Sequence, residues 1–137
     1  MVEEKYHISV YDCFEKYGEE VFRKLEYRTL IEALNQENVV VATGGGTPCY
    51  LDAMEIINQS GCSIYVEMSP KSLATRLFHA KIIRPLTKSK TEEEIFEFVA
   101  KQLAIRKPFY KKAQYTIKGE DVDIREVVDI FFKTIRA

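Results

Sequence analysis

Three consecutive glycines, Gly44, Gly45 and Gly46, follow an apolar, β-branched run at residues 39–43. Glycine has no side chain to shield its backbone amides, so such a triplet lets the backbone approach a ligand closely. Ligands of open α/β sheets bind beyond the carboxyl ends of the strands, which is where the triplet lies if residues 39–43 form a strand. The triplet is therefore a candidate ligand-binding loop, although an ordinary turn is an equally open interpretation.

Arginines in three separated segments are the candidate anion-binding side chains: Arg23, Arg84 and Arg106. A guanidinium is planar and permanently charged, and it binds a carboxylate or phosphate through two parallel hydrogen bonds. Arginines of this kind beside a glycine loop would suit a small polyhydroxy acid. Simpler interpretations stay open as well. Arg23 could form a surface ion pair with Glu26, three residues further on. Arg84 could be a solvated loop charge, and Arg106 could favour a helix C-terminus.

The charge balance limits the class of partner. Twenty Lys and Arg residues oppose 21 Asp and Glu residues, so the net charge is −1. Binding to nucleic acid or to an anionic membrane would need a basic excess, and we expect neither partner. The apolar runs are far shorter than the roughly 18 residues of a membrane span. The acidic, polar N-terminus does not resemble a signal peptide, and we expect a cytoplasmic protein.

Other catalytic classes lack their signatures. The two histidines and three cysteines do not have the spacing of a metal site, so no metal-ligating residue is predicted. No GxSxG sequence is present, which argues against a serine hydrolase of the α/β-hydrolase type.

Alternating helices and strands are expected to position these residues. The apolar run at residues 39–43 predicts a strand buried on both faces, which is typical of a parallel sheet, and residues 63–68 and 115–117 predict two further strands. Capping residues Ser9, Ser69, Thr91 and Asp123 predict helix starts. The fold class is therefore α/β, with a parallel sheet and flanking helices. The predicted helices cover residues 9–17, 19–35 after a break at Gly18, 51–59, 69–80, 91–105 and the stretch after Asp123.

Four short elements, in this order, resemble the shikimate kinase family, and the resemblance extends over the whole chain. Residues 22–26 resemble its FRxxE helix element, and residues 42–46 resemble its glycine triplet. Residues 84–86 resemble its lid element, and residues 106–110 resemble its RxPxY element. Four spaced elements are far more specific than any one of them alone.

The resemblance implies a role for each residue. Arg23 and Arg106 would bind the carboxylate of shikimate, and the backbone of Gly44, Gly45 and Gly46 would hold the same substrate. Arg84 would be the catalytic residue and a nucleotide contact, reaching over the transferring phosphate from a lid at about residues 81–91. The implied reaction is ATP-dependent phosphorylation of the shikimate 3-hydroxyl in aromatic amino-acid biosynthesis, with Mg²⁺ as the metal cofactor.

The sequence also departs from the family. Members open with a strand, a GxxxxGK[ST] phosphate-binding loop and a helix, then a second strand that ends in DxD. None of these precedes the FRxxE element here. The expected fold is thus a P-loop-kinase-like sheet that lacks its first two strands, as a partial single domain over residues 1–137. We expect the 137-residue chain to be inactive, and a chain extended upstream through a phosphate-binding loop to be active.

Two alternative functions stay open from the sequence. One is another small-molecule P-loop kinase, such as a gluconate kinase, although the RxPxY element argues against it. The other is a non-catalytic binding module of the shikimate kinase type. The expected partners are shikimate and ATP, and the expected state is a monomer.

Overall fold

The computed structural model of the protein describes residues 1–80 and 91–136. The chain divides into two compact units, one of residues 1–61 and one that begins at residue 62. The first unit is helical, and the second combines helices with a parallel sheet. The elements in chain order are α1 (Val2–Tyr6), α2 (Val10–Leu34), a 3-10 helix (Thr47–Cys49), α3 (Ala53–Ser60), β1 (Ile64–Glu67), α4 (Pro70–Phe78), α5 (Glu92–Tyr110), β2 (Tyr115–Lys118) and α6 (Ile124–Arg136).

Helix α2 is the longest element of the first unit. It begins after Ser9, whose hydroxyl accepts a hydrogen bond from the Asp12 N–H at 3.0 Å. Gly18 interrupts the helix with φ 79° and ψ 169°, a backbone conformation that residues other than glycine rarely adopt. The predicted cap at Ser9 and the predicted break at Gly18 are both confirmed. The buried side chains of this unit come from α2, α3 and the 3-10 helix: Cys13, Phe22, Thr29, Leu30, Ala33, Thr47, Pro48, Ala53 and Met54.

The predicted strand at residues 39–43 is wrong. These residues form no strand, and Val40 is fully exposed to solvent. A buried parallel strand exists only when its backbone bonds to a neighbouring strand. Within the described residues the sheet consists of β1 and β2 alone, so residues 39–43 have no strand to pair with.

The second unit contains the parallel sheet. Strands β1 and β2 pair in register from Ile64 with Tyr115 to Glu67 with Lys118. Gly119 follows β2 and packs tightly, since a Cβ there would lie 2.5 Å from the Cγ of Met68. The predicted strands at residues 63–68 and 115–117 are confirmed, and so is the α/β class.

Helices α4 and α5 pack together beside the sheet, with Ala74, Ile95 and Val99 buried between them. Ser69 caps α4, while Thr91 and Glu94 form a reciprocal capping box at the start of α5. Both predicted starts are confirmed.

Helix α5 ends later than predicted, because it continues through Pro108 to Tyr110. An internal proline removes one helical hydrogen bond, so tertiary contacts must stabilise this last turn. No helix among residues 1–80 and 91–136 has the length and apolar character needed to span a membrane.

Candidate functional site

Arg23 lies on α2, just after the bend at Gly18. Its Nη1 donates to the Glu26 carboxylate at 2.6 Å, and its Nη2 and Nε donate to Glu19 at 3.2 and 3.3 Å. Only 16% of the Arg23 side chain is exposed, and 17% of the Glu26 side chain. The ion pair with Glu26 that sequence reasoning left open is therefore present. Glu19 was missed, although its position four residues before Arg23 is the helical spacing at which such a pair forms.

The surroundings of Arg23 keep it charged. Partial burial acts against the charged guanidinium, but the hydrogen bonds and charges of Glu26 and Glu19 outweigh it, and the pKa of Arg23 is raised. The Cζ of Arg23 also lies 5.4 Å from the ring centre of Phe22 and 6.0 Å from that of Phe14, within the range of a cation–π contact. These contacts hold the arginine in one place and make it a fixed positive charge.

The guanidinium of Arg23 lies directly against the backbone of Gly46. A Cβ built on Gly46 would fall 2.5 Å from both the Cζ and the Nη2 of Arg23, closer than real contacts allow. Glycine at position 46 therefore makes room for the arginine. The structure thus brings together Arg23 and one member of the glycine triplet, two residues that the sequence placed in separate elements.

The rest of the glycine loop is held by its own side chains. The buried hydroxyl of Thr47 donates to the carbonyl of Thr43, and the thiol of Cys49 lies 3.6 Å from the carbonyl of Gly45. Gly44 has φ 74°, which explains the requirement for glycine at this turn. Gly44 and Gly45 are exposed, so a ligand can reach the loop backbone.

Arg106 lies in the second unit, near the C-terminal end of α5, and is half-buried. It has no ion-pair partner within the described part of the chain. Two lysines that follow it on the helix, Lys107 and Lys111, both bind the carboxylate of Glu67 on β1, at 2.9 and 2.8 Å. Hydrogen bonds from Lys111 and Lys107 lower the pKa of Glu67.

The end of α5 is also held by aromatic contacts. The rings of Tyr110 and Tyr65 lie 5.2 Å apart, and the ammonium of Lys111 lies 5.7 Å from the Tyr65 ring. These contacts, with the pairs to Glu67, fix the turn that carries Arg106. They also account for a helix that continues past Pro108.

For two predictions, the lid arginine and the magnesium ligands, the described residues show no corresponding site. Arg84, with most of the predicted lid at residues 81–91, lies outside the described residues. For magnesium, residues 1–80 and 91–136 bring no three His, Cys, Asp or Glu side chains together in a way that could ligate a metal ion.

The family profile described as shikimate kinase matches residues 1–136. The chain belongs to the shikimate kinase family. The shikimate kinase of Phocaeicola vulgatus is 38% identical over 135 residues, which is 98% of this chain and 77% of that protein. The shikimate kinase of Parabacteroides distasonis is also 38% identical, over 98% of this chain and 80% of its own length.

Solved structures agree with this membership. The shikimate kinase of Bacteroides thetaiotaomicron superimposes with a TM-score of 0.85 at 36% identity, over 96% of this chain and 76% of that one. The shikimate kinase of Acinetobacter baumannii, solved in complex with shikimate, gives a TM-score of 0.77 at 29% identity, over 98% of this chain and 74% of that one. The expected P-loop-kinase-like fold class is thereby confirmed.

Proposed function

We propose that this chain binds shikimate through Arg23 and the loop Gly44 to Gly46, with Arg106 as a second carboxylate contact, in a shikimate kinase reaction. The γ-phosphoryl group of ATP passes to the 3-hydroxyl of shikimate. The main observation that supports the proposal is that the Arg23 guanidinium lies against the backbone of Gly46. A fixed cation beside an exposed loop backbone matches an acid that also bears hydroxyls.

Arg23 retains donors for a ligand carboxylate. A guanidinium has five N–H donors, and the pairs with Glu26 and Glu19 use one each on Nη1, Nη2 and Nε. One N–H is left on each terminal nitrogen. Two such donors in a planar fork match the two oxygens of a carboxylate. The glutamates thereby hold the arginine without using its whole binding capacity.

Arg106 fits the role of a second anion contact. It is half-buried and lacks an ion-pair partner among the described residues, whereas Lys107 beside it is paired with Glu67. A partly desolvated arginine without a counter-charge favours binding of an anion. We propose that the shikimate carboxylate is that anion.

The phosphoryl-transfer side of the reaction rests on family membership. The family uses ATP and Mg²⁺, and phosphoryl transfer is catalysed mainly by positioning and charge neutralisation. We assign charge neutralisation on the transferring phosphate to Arg84, carried on a lid at residues 81–91. The 137 residues contain no GxxxxGK[ST] loop, so binding of the acceptor is the part of the activity that these residues can be tested for directly. We further propose that the chain acts as a monomer.

Calorimetric titration of the chain with shikimate tests the proposal. We expect saturable binding with one site, and Arg23→Ala should weaken it strongly or abolish it. The matched control is Arg28→Ala, because Arg28 is an exposed arginine on the same helix, five residues further on. Equal loss in both variants, or full binding by Arg23→Ala, would contradict the assignment.

A parallel titration with gluconate separates the alternatives. Binding of gluconate in place of shikimate would favour a different small-molecule kinase. A non-catalytic binding module would bind shikimate, yet it would show no turnover when tested in a form that includes an upstream phosphate-binding loop.

A further inference from the structure

Tyr27 lies one helical turn beyond Arg23 on α2 and contacts the segment that follows the glycine loop. Its hydroxyl donates to the Asp52 carboxylate at 2.5 Å, and its ring meets the ring of Tyr50 edge-on, with centres 5.9 Å apart. Asp52 is the residue before α3, but its side chain does not cap that helix. The carboxylate instead binds across to α2.

Leu51, which lies between Tyr50 and Asp52, has a disfavoured backbone conformation. Leu51 has φ 48°, in the left-handed region that residues other than glycine, asparagine and aspartate seldom adopt. Its side chain is 69% exposed and gains little from packing in return. Such a conformation persists only where the surroundings determine it. The Tyr27 contacts to Tyr50 and Asp52 lie on either side of Leu51 and supply that restraint.

Backbone hydrogen bonds connect the same segment to the glycine loop of the candidate site. The Tyr50 N–H bonds to the carbonyl of Thr47, and the Cys49 N–H bonds to the carbonyl of Gly46 at 3.0 Å. Gly46 in turn lies against Arg23. Residues 46–52 thus contact α2 at two points one turn apart, Arg23 at one end and Tyr27 at the other.

We propose that Tyr27 is a positioning residue, which acts through Asp52 to hold the glycine loop at the distance from Arg23 that the ligand requires. The inference rests on the proposed shikimate site. The hydrogen bond to Asp52 also raises the pKa of Tyr27, which favours the protonated hydroxyl that donates this bond. Tyr27 itself need not touch the substrate.

The test is a comparison of Tyr27→Phe with the unsubstituted chain. The change keeps the ring contact with Tyr50 and removes only the hydrogen bond. A single partly exposed hydrogen bond corresponds to about a three- to tenfold change in an equilibrium constant, so the Kd for shikimate should rise by roughly that factor. The amide NMR signals of Gly44, Gly45 and Gly46 should also shift in the absence of ligand. Tyr17→Phe is the matched control, since Tyr17 is an exposed tyrosine on the same helix.

Three further variants separate positioning from a general loss of structure. Asp52→Asn keeps an oxygen that can accept from Tyr27 and should bind shikimate nearly as well as the unsubstituted chain. Asp52→Ala should behave like Tyr27→Phe, and the double variant Tyr27→Phe with Asp52→Ala should be no worse than either alone.

The possible outcomes distinguish the two proposals. If the unsubstituted chain binds shikimate and Tyr27→Phe binds it equally well, the positioning role is wrong and the site itself stands. Additive losses in the double variant would likewise overturn the link through Asp52. If the unsubstituted chain binds no shikimate, the proposed function fails first, and the positioning role fails with it.

Discussion

Arg23 occupies the space that a side chain at position 46 would need, so the arginine and Gly46 can be close only while position 46 is glycine. This relationship joins a charged residue on α2 to the loop that follows residues 39–43. It makes the glycine as important to the site as the arginine, for a steric reason.

Gly46→Ala should therefore displace the guanidinium and weaken shikimate binding by about tenfold or more, the effect of losing a well-placed charged hydrogen bond. Calorimetry measures this directly. The control is Gly61→Ala, because a Cβ at Gly61 meets nothing within 4 Å and its φ of 178° is open to any residue. Equal Kd values for the two variants would show that the contact at Gly46 has no bearing on binding.

Arg23→Lys should rescue only part of what Arg23→Ala loses. Removal of one member of a desolvated charge pair weakens binding by roughly 2–5 kcal/mol. An ammonium restores the charge, but it cannot bind Glu26, Glu19 and a carboxylate in one plane. We expect the Kd of the lysine variant to lie between those of the alanine variant and the unsubstituted chain. Wild-type affinity in Arg23→Lys would show that only the charge matters.

The pairs of Glu67 with Lys107 and Lys111 predict a pH-dependent stability of the second unit. These pairs lower the pKa of Glu67. Their contribution to the free energy of unfolding is therefore present above the ordinary carboxyl pKa of 4.5, and it is lost as the pH falls through the lowered value. Glu67→Gln should reduce the Tm at pH 7 and should have little effect on the Tm at the acid end of a range from pH 3 to pH 7. Glu97→Gln, an exposed change on α5, is the control.

Thermal unfolding between pH 3 and pH 7 measures this difference for each variant against the unsubstituted chain. A Tm difference for Glu67→Gln that stays constant across the range would contradict a role for the ionised carboxylate.

Local signals explain why the helix starts could be predicted from the sequence. Ser9, Ser69 and Thr91 cap their helices through backbone groups three residues away, so the neighbouring sequence contains everything the cap needs. The break at Gly18 is local in the same sense. Strand β1 was also correctly predicted, because its partner β2 lies within the described chain.

Non-local features could not be predicted in the same way. Residues 39–43 have the composition of a buried strand, but strand formation depends on a neighbour that the described residues do not provide. The contact between Arg23 and Gly46 joins residues 23 positions apart, and the bond between Tyr27 and Asp52 spans 25 positions. No periodicity or spacing in the sequence encodes either contact. The resemblance to the family supplied Arg23 and the glycines, but not Tyr27.

Arg84→Ala should affect catalysis more than substrate binding. This prediction rests on the sequence: a residue before proline favours extended conformations, and the residues that follow Pro85 are mostly polar. An arginine that meets the phosphate only in the transition state lowers kcat and kcat/KM together when it is removed. Arginine fingers in other phosphoryl-transfer enzymes contribute about 10³–10⁵ in rate, and we expect a smaller effect of the same kind here.

Steady-state kinetics of Arg84→Ala, in a kinase-active form that includes an upstream phosphate-binding loop, provides the measurement. The KM for shikimate should change little. A raised KM with an unchanged kcat would place Arg84 in ground-state binding instead and remove its assigned role.

The most direct test of the account is an NMR titration of the isotope-labelled chain with shikimate, following the Nε–H of Arg23 and the amides of Gly44, Gly45 and Gly46. We predict that these signals shift together and saturate with a single Kd, while the Nε–H of Arg28 stays in place and gluconate at the same concentrations has no such effect. If the Arg23 and glycine signals do not move with shikimate, or move no more than that of Arg28, the assignment of this site to shikimate is contradicted.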